Sequence, residues 1–133
     1  MNNREVEALC GIPKDWNFMW VIDEFDSSFD TLAMASLRYH MDYAVTLCEG
    51  ERRETYQSLL EEFEEINERN TFTREHREHF DTHDSKDVIA FLNRRCDICD
   101  EFMDKLDAME DKRDSDRKAA RHKFIDIMPG LWS

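Results

Sequence analysis

Apolar positions near the C-terminal half recur at Ile89, Leu92, Cys96, Cys99, Met103 and Leu106, in steps of 3, 4, 3, 4 and 3. That rhythm is the seam of a heptad helix. Val88, Phe91, Ile98, Phe102 and Met109 widen the seam into a stripe able to face a core. The surrounding run from Ser85 to Met128 holds forty-four residues without Gly or Pro. Ser85 is a suitable N-cap, and Asp87 places a carboxylate at the positive end of the helix dipole. Pro129-Gly130 is the stop signal. The pattern predicts one long helix, or two nearly continuous ones, against which the earlier chain packs. Past Met109 the apolar positions thin out, so the stretch of about 110–123 is expected to project beyond the bundle or lie on its surface. Phe124, Ile125, Ile127, Met128, Leu131 and Trp132 then form an apolar end, expected to fold back onto Trp16–Phe29.

The earlier elements follow from the same periodicity. Asn2–Cys10 predicts a short helix with Gly11 as its C-terminal cap. Trp16–Phe29 is the most hydrophobic stretch and predicts a helix with Trp16, Met19, Trp20 and Asp23 on one face, although Val21-Ile22 would also suit extended chain. Its aromatics are expected to fill the core around the long helix; the functional reading is an exposed anchor for a partner, formed by Trp16, Trp20 and Phe25. Asp30–Glu49 predicts a central helix, capped by Asp30 or Ser28, with Met34, Leu37, Met41, Ala44 and Cys48 in heptad steps and Val45 and Leu47 broadening its apolar surface. Gly50 is the turn. Glu51–Asn70 predicts the next helix, with Tyr56, Leu59, Leu60, Phe63 and Ile66 inward, and the short connection makes the two an antiparallel hairpin. Thr71 or Thr73 is expected to cap a short helix over Arg74–Phe80. The fold class is therefore an all-α bundle of four to five helices organised around one long C-terminal helix. Residues 1–133 read as a single helical domain.

Composition supports helices over sheet. Three Gly and two Pro are too few to turn a series of short strands. Charged residues make up 37% of the chain, against a usual ~25%. The net charge of −13 is uneven: residues 112–133 carry six basic and three acidic groups, and the remainder supplies the acidity. Direct binding of nucleic acid is excluded for so acidic a body, because phosphate neutralisation needs excess Lys and Arg. No stretch approaches the ~20 apolar residues of a membrane span. Met1–Cys10 lacks the apolar core of a signal peptide. With four Cys and no such signal, the expectation is a reducing cytoplasm, the host's if the protein is viral.

Two constellations could carry chemistry. His76, His79 and His83 precede the pair Cys96 and Cys99, and thiolate with imidazole is the vocabulary of tetrahedral zinc. The set His79, His83, Cys96 and Cys99 would hold a zinc-stabilised helical regulatory module. The pair sits on seam positions of a helix, however, with no Gly or Pro beside it, so buried core cysteines are the prior reading. Di-iron bundles need Glu-x-x-His on facing helices, and that spacing is absent here. So are the Gly-rich phosphate loops, the nucleophile elbow and the His-Glu-x-x-His metal motif. No enzymatic activity and no cofactor are therefore expected.

The surface remains. Asp97, Asp100/Glu101, Asp104, Asp107 and Glu110/Asp111 recur every three to four residues, and Glu61, Glu62 and Glu65 line the outside of the preceding helix. Successive carboxylates on the long helix would stand ~5 Å apart at a rise of about 1.5 Å per residue, near the ~6–7 Å spacing of phosphates along a nucleic-acid strand. In this property the chain resembles, as a class, the viral proteins that mimic DNA to occupy host restriction or nuclease sites. The expectation is an acidic inhibitor or adaptor, phage-encoded on that resemblance. It would bind a larger protein with a basic surface, a nucleic-acid enzyme or NTPase, through Glu61, Glu62, Glu65, Asp97, Asp100, Glu101, Asp104, Asp107 and Asp111, with Trp16, Trp20 and Phe25 as second anchor. Lys105, Arg94 and Arg95 dilute the mimicry, and a merely solvating face is the plain alternative. A third reading is a self-assembling coiled-coil protein, a homodimer through the heptad seam.

Overall fold

The computed structural model describes residues 2–69 and 97–132, the side chains of 97–99 and 132 apart. Five α-helices run through the described residues: α1 (Asn3–Leu9), α2 (Phe18–Asp23), α3 (Phe25–Asp42), α4 (Gly50–Glu68) and α5 (Asp97–Ile127), closed by a 3-10 turn at Met128–Trp132. The fold is an all-α bundle whose last helix is its longest, at 31 residues. The chain forms two compact units, one of Met1–Asn67 with Arg117–Ser133 and one of Glu68–Asp116.

In the first unit, α1 forms for local reasons. Asn2 Oδ1 accepts from Glu5 N at 2.9 Å and caps the start. At the other end Gly11 N donates to Ala8 O at 3.1 Å and Ile12 N to Glu7 O at 3.0 Å. That pair of bonds is a Schellman cap, and it needs the left-handed φ of +96° that Gly11 supplies. A side chain there would also meet Arg38 Nη1 at 2.6 Å, and Arg38 Nη1 donates to Cys10 O at 2.9 Å. This one arginine thus fastens the end of α1 to α3.

The expected helix over Trp16–Phe29 is broken in two. Glu24 adopts φ −107°, ψ 43°, outside helical geometry, and α3 begins at Phe25 rather than Asp30. Ser28 and Asp30, expected as caps, lie buried inside α3. Ser28 Oγ turns back to donate to Glu24 O at 2.7 Å, the local bonding open to a mid-helix serine. α3 also stops at Asp42, short of the expected Glu49. Arg53 explains the stop, since its Nη1 donates to Met41 O at 2.8 Å and its Nη2 to Asp42 Oδ1 at 2.8 Å. A guanidinium thereby satisfies one of the carbonyls that a helix end leaves open. Val45 and Leu47 lie in the loop that follows and are exposed, not part of an apolar helix face. Gly50, at φ +63°, opens α4.

α3 and α4 form the expected antiparallel hairpin. Arg38 Nη2 meets Glu64 Oε1 at 3.2 Å, and Asn67 Nδ2 reaches Met34 Sδ at 3.8 Å. Positions rising along α3 thus meet positions falling along α4. Between them lie Leu37, Met41, Tyr56, Leu59, Leu60, Phe63 and Ile66. α5 adds Ala120 and Phe124, and the 3-10 turn adds Leu131. Phe124 packs edge-on against Phe63 and Phe29, at 6.5 and 6.1 Å between ring centroids. Phe124 and Leu131 of the apolar C-terminal end therefore fold back, with Phe29 as a contact in the Trp16–Phe29 stretch, while Ile125 and Met128 stay exposed. Arg52 holds the final turn by donating to Gly130 O and stacks on Tyr56, 5.9 Å from the ring centroid.

Arg117–Lys123, expected to project or lie on the surface, packs into this unit. The inward face of that segment is a small residue flanked by cations instead of an apolar stripe. Ala120 is fully buried, and Arg117 and Arg121 reach the buried Asp30. A search for large apolar residues passes over such a face.

Of the second unit, the described part is Glu68, Arg69 and α5 from Asp97 to Asp116. Arg69 Nη1 binds Asp116 Oδ2 at 2.6 Å, and Lys112 joins it at 3.3 Å. Met103 and Leu106 of the heptad seam and the flanking Phe102 are half-buried, and the flanking Met109 is exposed. The rest of the seam, the expected helix over Arg74–Phe80 and the N-cap at Ser85 lie outside the described residues.

Candidate partner-binding surfaces

α2 exists because Asn17 starts it. Asn17 Oδ1 accepts from Trp20 N at 2.9 Å, which places Phe18 at the first helical position. No residue of the helix is buried. Phe18 is 84% exposed, Met19 64%, Ile22 53%, and Phe25 just beyond the break 57%. Trp16, predicted to share a helical face with Trp20, instead precedes the helix, yet the two rings pack together with centroids 4.6 Å apart and planes 35° from parallel. The expectation that these aromatics fill the core is overturned for α2. The large apolar residues of the core come from α3, α4 and the end of α5 instead. Sequence reasoning named Trp16, Trp20 and Phe25 for an anchor and missed Phe18 and Ile22. The signal for them was Asn17, whose capping role puts both on one exposed turn.

Beside this patch stands an ion cluster built the opposite way. Asp30 Oδ1 accepts from Arg121 Nε at 2.8 Å, and Asp30 Oδ2 lies 3.0 Å from Arg117 Nε. Arg121 also donates to Asp26 Oδ1 at 2.7 Å and to Asp26 O at 2.9 Å. Its guanidinium sits 5.2 Å from the Phe29 ring centroid. The hydrogen bond and the charge of Arg121 hold the Asp26 carboxyl below the usual carboxylate range. This cluster joins α3 to α5, with Asp30 enclosed and the Asp26 side chain left exposed.

The predicted acidic residues fall on both units. In the first, Glu61 and Glu65 are exposed on α4, and Glu61 accepts from Gln57 at 3.1 Å. Glu62 is tied to Lys123, with Nζ 2.9 Å from Oε2 and 3.0 Å from Oε1. In the second, Glu101, Asp104, Asp107 and Asp111 are exposed along α5 while Asp100 is half-buried. Glu101 lies 3.5 Å from Lys105. Between Asp97 and Asp116 the helix carries nine carboxylates against three cations. The side chain of Asp97 lies outside the described residues.

So do His79, His83, Cys96 and the side chain of Cys99, and with them the proposed zinc set. Among the described residues no group of three or more His, Cys, Asp or Glu is placed to hold a metal. Burial pushes the Cys10 thiol up from its ordinary range, which leaves less of the reactive thiolate. Open grooves also mark the surface of the first unit. One of about 490 Å³ lies between α1 and α3, lined by Val6, Cys10, Leu32, Ala35, Tyr39 and Tyr43. One of about 710 Å³ lies between α4 and the end of α5, rimmed by Glu51, Glu54, Glu62 and Asp126. No described helix is long and apolar enough to cross a membrane. Comparison with protein-family models, curated proteins and solved structures finds no match to this chain.

Proposed function

We propose that this chain is a small acidic binding protein, an inhibitor or adaptor that docks on a larger protein with a basic surface. The observation that carries the reading is the exposure of α2. Leaving Phe18, Met19 and Ile22 in water forgoes stabilisation of roughly 1.5–3 kcal/mol per large side chain that burial would supply. Contiguous exposed apolar surface of this kind marks interaction sites in soluble proteins. The carboxylates of α5 add long-range attraction, which speeds encounter with a basic partner and is weakened by salt. DNA mimicry is the narrower form of this reading. It requires that the target use the same surface for nucleic acid.

Affinity capture from cell lysate tests the reading. Tagged wild-type protein should retain a defined partner at about 50 mM salt and release it near 500 mM, where screening shortens to a few ångströms. The triple variant Asp104→Asn, Asp107→Asn, Asp111→Asn should capture less at low salt. A partner held equally by wild type and triple variant at both salts would remove the electrostatic half of the proposal. Recovery of the protein alone would remove both halves for that host.

A further inference from the structure

We infer that α2 is the docking platform for a cationic amphipathic helix of a partner protein, an inference that rests on the binding reading above and names the partner's chemistry. At about 100° per residue, Phe18, Ile22 and Met19 fall within one arc of about 100°. Trp20, beyond Asp23 on the helix, packs on Trp16, and Phe25 is a further exposed ring past the break. Val21, on the far side from Met19, is half-buried. The outward side of the helix is thus an apolar strip of Phe18, Ile22 and Met19, with the exposed Asp23 at its edge, between Met19 and Trp20.

The rim of this patch is acidic and unanswered. From Asp15 to Leu37 the sequence holds five carboxylates and no Lys or Arg. Arg117 and Arg121 take two of them, Asp26 and Asp30. Asp15, Asp23 and Glu24 are exposed, and their carboxylates make no ion pair or hydrogen bond among the described residues. Lys14, next to Asp15, is the nearest cation along the chain. The patch therefore combines a convex apolar strip with a local excess of negative charge.

Three occupants could cover such a strip, and the charge chooses among them. A second copy would bring the same three carboxylates of each chain to one two-fold interface, on a chain of net charge −13. An anionic bilayer would repel the rim in the same way. A helix with apolar side chains at i, i+3 or i+4, and i+7 covers the strip, and Lys or Arg on its flanks meet Asp15, Asp23 and Glu24. The six residues of α2 span ~9 Å, which matches about two turns of such a helix.

Peptide probes and the full ¹⁵N-labelled chain test this. The first probe is an 18-residue Leu/Lys peptide patterned as an amphipathic helix. The second replaces every Lys by Glu, and the third scrambles the first so that no apolar face forms. The first should shift the backbone amides of Phe18–Phe25 and the indole signals of Trp16 and Trp20. The Glu and scrambled peptides should bind at least tenfold more weakly. Neutralising Asp15, Asp23 and Glu24 together should weaken the first peptide by about tenfold, at the strength of three exposed ion pairs. Met19→Ser with Ile22→Ser should abolish the α2 shifts with helical content unchanged, since both side chains are already exposed. Shifts confined to Glu101–Asp111 of α5 would overturn α2 docking and leave the general binding reading standing. Equal affinity for the Glu peptide, or concentration-dependent α2 shifts without peptide, would overturn it in favour of an uncharged contact or a second copy. A lysate partner that needs α5 but survives Met19→Ser/Ile22→Ser would overturn the inference and keep the reading.

Discussion

α2 and the first two turns of α3 are neighbours in sequence, similar in composition and opposite in placement. Each stretch has aromatic residues and carboxylates. In α3, Phe29 meets Phe124, and Asp30 is buried between Arg117 and Arg121. In α2, Phe18 faces water, and Asp23 has no cation among the described residues. The difference is what stands opposite. α3 runs along α4 and the end of α5, so its inward face meets both a core and two arginines. α2 is only six residues long and sits beyond the Glu24 break, so it meets neither. Side-chain type alone does not decide between core and interface; a facing element does.

The comparison breaks first if the exposed aromatics matter to stability as the buried ones do. Phe63→Ala should cost about 4 kcal/mol, the loss of a fully buried ring plus the cavity it leaves. Phe18→Ala should change stability by less than about 0.5 kcal/mol, because its side chain is exposed and the capping bond of Asn17 does not use it. Urea unfolding of the two variants measures both. Similar losses would mean that α2 is covered by protein and is no docking surface.

Charges make the same contrast at smaller size. Asp30→Ala leaves Arg117 and Arg121 facing each other in a largely enclosed site, and the expected loss is about 3 kcal/mol, as for breaking a buried pair. Asp23→Ala removes an exposed carboxylate that no cation faces among the described residues, and the change should stay within about 0.5 kcal/mol. Restoring Asp30→Ala stability with Arg117→Met and Arg121→Met would show that the loss came from stranded charge rather than lost packing.

The helices were legible in the sequence where apolar residues alone set the period. α4 and its inward Tyr56, Leu59, Leu60, Phe63 and Ile66 are as expected, because that stripe has large side chains at unbroken helical spacing. α1 was legible from its terminal Gly11, though Asn2, read as part of the helix, is its N-cap. The inner face of α5 near Arg117–Phe124 was not, since it pairs Ala120 with two arginines whose partners sit some ninety positions earlier. Nor was the stop of α3 at Asp42. It depends on Arg53, which reaches back from the next helix. The acidic faces were legible as periodicity, but a count of carboxylates does not show that Glu62 is held by Lys123. Exposure of α2 was undetermined for the same reason: one sequence shows which residues are apolar and not which of them find something to bury against.

A cap variant sharpens the contrast at about 1 kcal/mol. Asn17→Ala removes the only side-chain cap of α2, and such caps contribute on that order. Because α2 has no buried residue, the loss should be local. Amide exchange of Phe18–Asp23 should speed up several-fold while the α3 and α4 core amides keep their protection. Matching losses in both sets would tie α2 to the global unfolding unit and make it part of the core assembly after all.

Asp26 lies on the border between the two regions, and pH separates exposure from pairing there. Its side chain is exposed like those of α2, yet it is paired to Arg121 like Asp30. Arg121's hydrogen bond, then its charge, lowers the Asp26 pKa in the fold. A carboxyl with a lowered folded pKa binds fewer protons folded than unfolded. The stability it confers is therefore complete above its ordinary pKa near ~4 and is lost as pH falls through that value toward the lowered one. His40 acts in the same direction at higher pH. Burial, then the charge of Arg52, lowers its pKa, so the fold favours the neutral ring and stability declines once pH drops below about 6.5. Wild-type stability should thus fall in two steps on acidification. Asp26→Asn should shrink the lower step and leave the upper one, and His40→Gln should do the reverse. If Asp26→Asn leaves the acid limb unchanged, solvent exposure outweighs pairing at this position, and Asp26 belongs energetically with the open carboxylates of α2 instead of with the Asp30 cluster.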